Sequence, residues 1–335
     1  MAEESAPESK SEDGVWIGFD LGGTKMMAVV FDDDLNVIAR KKRRTREKGR
    51  GDVQLERLAE TIEIALESAN VDKSAIRGIG AGCPGPLDLT QGMILQAPNL
   101  GWVDVRLQEF LENQFGCPAS ICNDVDAGVY GEYSRGAAQG ARCVVGVFPG
   151  TGIGGGCVYE GKIFHGTRAS CMEVGFIQMA TEGAAAGVGP VGTLEGIASR
   201  LAISAEAAKA VYRGQAPNLA ADAGGDLRQI RSGALSRAIE AGDTVIRDII
   251  ARAAEQVGRG IGSLVNLLAP DIVVLGGGLV EAMPELYLKS VRKGTERNVL
   301  PSLASEFEIK TAELGDYATA TGAAAWVRES SGSSS

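Results

Sequence analysis

One local pattern occurs twice in this chain and limits its possible folds more than any other feature: a strand, a glycine turn and a second strand. It runs over residues 15–31 and again over residues 143–159. In the first copy, Asp20-Leu21-Gly22-Gly23-Thr24-Lys25 leads from one apolar run at 15–20 to the next at 26–31. In the second, Gly150-Thr151-Gly152-Ile153-Gly154-Gly155-Gly156 separates 143–148 from 157–159. Short apolar runs bounded by glycine read as buried strands. Two copies, each opening a mixed sheet with helices, predict two similar α/β domains facing a cleft. With 335 residues the chain is long for one core and comfortable for two.

Further elements are expected around each copy. Residues 37–44 form a third strand, joined to 26–31 by a turn at Asp32-Asp33-Asp34. Residues 53–69 place Leu55, Leu58, Ile62, Ala65 and Leu66 at helical spacing. A buried strand at 76–82 runs into the turn Cys83-Pro84-Gly85-Pro86. A helix at 105–115 precedes a strand at 119–122, which ends at Asn123-Asp124, and another helix starts at Ala127. After the second copy, 195–268 is alanine-rich and mostly helical. A strand at 271–275 ends in Gly276-Gly277-Gly278, with a late strand at 307–312 and a closing helix at 318–327.

Composition narrows the function. A net charge of −10 argues against general nucleic-acid binding, which needs a basic footprint. The local run Arg40-Lys41-Lys42-Arg43-Arg44 reads as a solvated strand edge. No apolar run approaches the ~20 residues of a membrane span. Residues 1–14 lack the basic and apolar regions of a signal peptide and read as a disordered acidic leader. The six cysteines, none in a C-x-x-C pair, then read as reduced thiols of a cytoplasmic protein. A single histidine, His165, excludes any mechanism that needs two.

The glycine loops can hold anions. Glycine lets backbone N–H groups approach phosphate closely, Thr24 adds a hydroxyl, and Lys25 can add charge. Asp20 suits Mg²⁺ or its waters, because hard cations take oxygen ligands. A plain hairpin turn is the alternative. The second loop satisfies G-x-G-x-x-G, but a strand at 157–159 and a tight turn at Glu160-Gly161 follow it where a dinucleotide site needs a helix. A phosphate cradle between antiparallel strands fits better. Gly276–Gly278 can pass a nucleotide base or ribose, or can be a simple strand-to-helix turn. The P-loop motif is absent.

Taken in order, these blocks resemble the ROK sugar kinases, glucokinase-like members of the two-domain actin-like ATPase (ribonuclease H-like) fold. The likeness covers residues 15–328. It rests on Asp20–Lys25, on Cys83-Pro84-Gly85-Pro86-Leu87 leading to Asn99-Leu100-Gly101-Trp102, on Asn123-Asp124, on Gly150–Gly156 and on Val273–Gly278. The resemblance implies a smaller domain of 15–124 plus 316–328, a larger one of 125–315, and a flexible tail from 329 to 335. It implies ATP-dependent phosphorylation of a hexose hydroxyl, with Asp124 as general base. It assigns sugar contacts to Gly85, Asn99, Asn123, Glu173 and Glu195. Asp20, Gly22, Gly23, Thr24, Lys25, Thr151, Gly152 and Gly277 fall at the nucleotide, with Asp20 at Mg²⁺, directly or through water. The chemistry is consistent with that assignment, since a carboxylate in reach of a sugar hydroxyl can take its proton. The alternative for Asp124 is a helix N-cap, a role for which Asp126 lies closer to the expected helix. Glu195 can equally be a first-turn glutamate favoured by the helix dipole.

The chain departs from the family's zinc pattern of one His and C-x-C-G-x-x-G-C. Phe176, Ala186, Val188 and Thr193 stand at those four positions, so no zinc is expected. Phe176 also removes a polar contact to the sugar. Glucose is the first expectation, with N-acetylhexosamines, mannose and fructose behind it. About 14 residues precede the first strand, too few for the winged helix-turn-helix of the family's repressors. A non-catalytic sugar sensor and a polyphosphate-dependent kinase compete with the ATP-dependent enzyme. The resemblance also implies a homodimer.

Overall fold

The computed structural model describes residues 14–45, 51–183, 189–224 and 226–332. The expected leader, apart from Gly14, lies outside them. The chain divides into two units, one reaching to Asp124 and resuming at Thr319, the other spanning Val125–Ala318.

The first unit opens with β1 (Val15–Leu21), β2 (Lys25–Phe31) and β3 (Val37–Arg44), an antiparallel meander. Helix α1 (Gly51–Ala69) follows. Then come β4 (Ile76–Cys83), a small antiparallel sheet of β5 (Leu87–Asp88), β6 (Met93–Ala97) and β7 (Trp102–Val105), helix α2 (Leu107–Phe115) and β8 (Ala119–Asn123). The main sheet has the order β3-β2-β1-β4-β8, with β4 and β8 parallel to β1. Central β1 is buried on both faces and accordingly reads as a continuous apolar run. Outermost β3 alternates between exposed and half-buried residues. There Arg43 pairs with Glu60 of α1 at 2.9 Å. The small sheet was not legible in the sequence, because strands of two to five residues are too short to show alternation.

The second unit begins with helix α3 (Asp124–Arg135), whose first residue belongs to the first unit. It continues with β9 (Cys143–Pro149), β10 (Ile153–Tyr159) and β11 (Lys162–Ile163). Helices α4 (Leu194–Ala198), α5 (Arg200–Tyr212), α6 (Pro217–Ala223), α7 (Ser232–Glu240) and α8 (Thr244–Leu268) come next. They are followed by β12 (Ile272–Leu275), α9 (Gly278–Ala282), α10 (Pro284–Glu296) and β13 (Glu308–Thr311). The sheet order, β11-β10-β9-β12-β13, repeats that of the first unit: an antiparallel meander extended by two parallel strands. The core packs β9 and β12 through Val145, Val147, Val273 and Leu275 against helical Ile250, Val257 and Ile261. Fully buried Glu132 of α3 accepts hydrogen bonds from the N–H groups of Ala137 (2.9 Å), Glu313 (3.0 Å) and Leu314 (2.8 Å). Those bonds offset the cost of burying its carboxyl group.

Helix α11 (Ala318–Gly332) closes the chain on the first unit. Its contact is backbone to backbone. A Cβ on Gly18 would stand 1.9 Å from the Ala320 carbonyl oxygen, and one on Gly80 1.8 Å from that of Ala323. The helix outlasts its sequence-based end: residues 329–332, expected in a loose tail, are helical, and the chain re-enters the first unit at Thr319 instead of 316. Small and polar residues there mimic a linker in composition, yet the preceding helical turns let the helix propagate. Among the described residues no helix is long and apolar enough to cross a membrane. All six cysteines are free thiols, five of them buried.

Candidate active site

In the first unit, parallel β1, β4 and β8 end side by side and present Asp20, Cys83 and Asn123-Asp124. The register sets Asp20 against Gly82, and Cys83 against Asn123. Neighbouring strands lie ~4.8 Å apart, so Asp20 and Asn123 stand about 10 Å from each other. The carboxyl ends of such strands are where α/β sheets bind ligands. Asp20, Asn123 and Asp124 are each partly exposed there. Burial, then Cys122, Asp124 and Asp20, pushes the Cys83 thiol well above its ordinary value. The thiol stays protonated, and both carboxylates lie near enough to Cys83 to bear on it.

Asp124 is the first residue of α3, and the Thr319 hydroxyl donates to its backbone carbonyl at 3.2 Å. The helix therefore starts three residues earlier than the sequence indicated. Asp126, the residue expected to cap it, is the helix's third residue and only 2% exposed. A strand end on one side and a helix start on the other fix the backbone of Asp124.

The turn between β1 and β2 is pinned. The Thr45 hydroxyl donates to the Gly22 carbonyl at 2.6 Å, and the Thr45 N–H to the Thr24 carbonyl at 2.9 Å. A Cβ on Gly23 would lie 2.9 Å from Cβ of Asn99, so glycine lets the turn close on that residue. The side chains of Thr24 and Lys25 are exposed. Gly85 has φ +83° and abuts the Gln96 carbonyl, so the Pro-Gly-Pro turn rests on β6, the strand that leads into the tight turn holding Asn99. The first unit thus brings the loop at 20–25 together with Asn99, and sets Asn123 and Asp124 on the same strand ends as Asp20.

In the second unit the glycine run divides by role. Gly154, Gly155 and Gly156 are part of β10, which starts at Ile153, four residues earlier than expected. A Cβ on any of them would collide: Gly154 with Val125, Gly155 with Val174, Gly156 with Val129. These glycines serve packing. Only Gly150, Thr151 and Gly152 form the open turn, closed by a hydrogen bond from the Gly150 N–H to the Gly152 carbonyl at 2.8 Å. Thr151 is exposed. Glu195 lies in the first turn of α4, capped by the Thr193 hydroxyl, and its Oε2 accepts from the Ile153 N–H at 2.8 Å. Gly277, at φ +87°, lies against the Pro149 carbonyl.

Glu173 follows Met172, a non-glycine residue at φ +61°. Burial among its neighbours, then the charge of Glu195, raises its carboxyl pKa, although the side chain keeps contact with solvent. A raised carboxyl contributes stability below the ordinary carboxylate range and loses it as pH rises through the raised value. Glu173→Gln removes the repulsion. The variant is expected to melt slightly above the parent at neutral pH and to lose the difference in mild acid. Thermal melts from about pH 4 to about pH 7 check this; a variant that melts below the parent throughout sinks it.

Phe176 is 38% exposed, Thr193 is buried, and Ala186 and Val188 lie outside the described residues. Among the described residues no group of three or more His, Cys, Asp and Glu side chains could hold a metal ion. A single carboxylate such as Asp20 fits Mg²⁺, which takes most of its ligands from phosphate and water. One residue that no motif marked also reaches the Gly150–Gly152 turn of the second unit: Arg200, opening α5, donates from Nη2 to the Thr151 hydroxyl at 2.6 Å. A lone arginine at the start of an alanine-rich helix carries no local signal.

A family model described as "ROK family" matches residues 16–330. The glucokinase of Halalkalibacterium halodurans is 30% identical over 313 residues, 92% of this chain and 93% of its own length. Among solved structures, the ROK hexokinase from Thermus thermophilus superposes with a TM-score of 0.81 at 32% identity, covering 95% of this chain and 99% of its own. The ROK family glucokinase from Streptomyces griseus, solved in complex with glucose and AMPPNP, gives a TM-score of 0.80 at 29% identity, covering 94% and 100%.

Proposed function

The chain belongs to the ROK family and is a sugar kinase, and we propose that it transfers the γ-phosphoryl group of ATP to a glucose hydroxyl with Asp124 as the general base. Its fold is the two-domain actin-like ATPase fold of those kinases. The observation that carries the mechanistic reading is the row of strand ends bearing Asp20 and Asn123-Asp124. The glucose and AMPPNP held by the Streptomyces griseus relative support the choice of acceptor and donor.

A sugar hydroxyl is a poor nucleophile at neutral pH. Asp124 accepts its proton as the oxygen–phosphorus bond forms, and ADP departs. Such general-base help is worth about 10²–10⁴-fold in rate. Asn99, Asn123, Glu173 and Glu195 hydrogen-bond the sugar's hydroxyls, with the Gly85 turn beside them. Gly22, Gly23, Thr24 and Lys25, together with Thr151 and Gly152, direct N–H, hydroxyl and ammonium groups at the phosphates. Gly277 leaves room for the nucleoside. Mg²⁺, when bound at Asp20, neutralises charge on the phosphoryl oxygens.

The test is ADP release from Mg-ATP with a panel of hexoses. Release that depends on sugar, is strongest with glucose and is unchanged by a zinc-selective chelator is the expected result. Sensitivity to the chelator would instead show a metal requirement that Phe176 and Thr193 do not predict. Folded protein that binds nucleotide yet turns over no hexose would overturn the kinase reading in favour of a sugar sensor. Sedimentation at working concentration tests the homodimer that belongs to the same reading.

A further inference from the structure

The turn between β9 and β10 runs between two landmarks. At one end the Pro149 carbonyl lies 2.8 Å from where a Cβ on Gly277 would stand. At the other, a Cβ on Gly152 would stand 2.2 Å from Oε2 of Glu195. In the proposed kinase, Gly277 marks the nucleoside and Glu195 the sugar. A triphosphate joining the two must then pass along Gly150 and Thr151, with its terminal phosphates at the Thr151–Gly152 end.

Arg200 is built onto that stretch twice. Its N–H donates to the Gly150 carbonyl at 2.9 Å, and its guanidinium Nη2 to the Thr151 hydroxyl oxygen at 2.6 Å. The first bond holds the start of α5 against the turn, and the second aims the cation along it. Thr151 accepts in this bond, so its own O–H stays available to a phosphate oxygen. Among the described residues no carboxylate forms an ion pair with Arg200. Its charged neighbour is instead Arg231. Burial, then that second cation, makes the Arg200 guanidinium easier to deprotonate than an ordinary one. A cation beside an open glycine turn is a ready partner for an anion, and a planar guanidinium meets phosphate oxygens with paired N–H groups.

We propose that Arg200 is a donor-binding residue that holds the terminal phosphates of a nucleoside triphosphate at Thr151, so that the site selects triphosphate over monophosphate. The proposal rests on the kinase reading.

The experiment titrates AMP, ADP and Mg-ATP calorimetrically into the parent, Arg200→Met and Arg200→Lys, without sugar. In Arg200→Met, Mg-ATP affinity is expected to fall about 10–100-fold, the worth of a charge-assisted contact, while AMP affinity holds. Lysine should recover part of the loss. Equal loss for AMP and ATP would make Arg200 a structural support of the turn and overturn the proposal, as would unchanged affinity for all three nucleotides. If Arg200→Met does not fold, Arg200→Gln keeps an amide donor for Thr151 without the charge, and parent-like ATP binding by that variant overturns the proposal equally. A parent that binds none of the three nucleotides overturns the kinase reading, and the proposal with it. A parent that binds them beside an unaltered variant overturns the proposal alone.

Discussion

Asp124→Asn is expected to lower kcat for hexose phosphorylation by about 10²–10⁴-fold, with the KM for sugar changed only a few-fold. Asparagine keeps the size and the hydrogen-bonding reach of the side chain, so the sugar still binds. It cannot accept a proton, so the hydroxyl must attack without a base. Residue 124 opens α3, and asparagine is tolerated at helix starts, so the fold should persist. A parent-like melting curve alongside the lost turnover separates chemistry from stability. Full kcat in the variant would remove Asp124 from the mechanism, whatever the family likeness.

The second large effect concerns stability. Gly80→Ala is expected to destabilise the first unit by at least about 3 kcal/mol, because overpacking against a rigid partner costs the upper part of the usual range. The added methyl group would stand 1.8 Å from the Ala323 carbonyl oxygen and 2.3 Å from its carbon, both backbone atoms of α11. Neither can rotate away, so the helix must lift from the sheet. A loss of that size lowers Tm by roughly 6–12 °C. Gly233→Ala is the matched control. Its new methyl group meets only the flexible end of Arg237, at 3.4 Å, on an exposed turn of α7. Alanine in a helix should leave stability unchanged or raise it by about 0.5–1 kcal/mol. If Gly80→Ala melts with its parent, the closing helix does not press on β4 as described.

Particular residues show how much could be read in advance. The β2–β3 hairpin was legible, because its apolar runs flank a polar turn whose Leu35 adopts φ +59°. The hairpin turn at Glu160-Gly161 was legible for the same reason, with φ +49° and +78°. The start of α3 was misjudged, because an Asp-rich segment signals a helix cap while the backbone had already turned helical at Asp124. The run Gly150–Gly156 was read as one phosphate cradle. Three of its glycines instead make room for Val125, Val129 and Val174, since a glycine kept for packing looks the same in sequence as one kept for an anion.

The amino-acid sequence by itself determined the local elements, the two strand–glycine turn–strand copies, the order of the motif blocks and the nomination of Asp124. Each depends on residues within a few positions of one another, where periodicity and turn chemistry act directly. Tertiary structure alone decided that both units share one sheet order, that Gly18 and Gly80 are contact points for the closing helix, that Ile153 is bonded to Glu195, and that Arg200 reaches Thr151. Those contacts join residues far apart along the chain, and no residue type announces such a partner until the backbone brings it within hydrogen-bond or van der Waals distance.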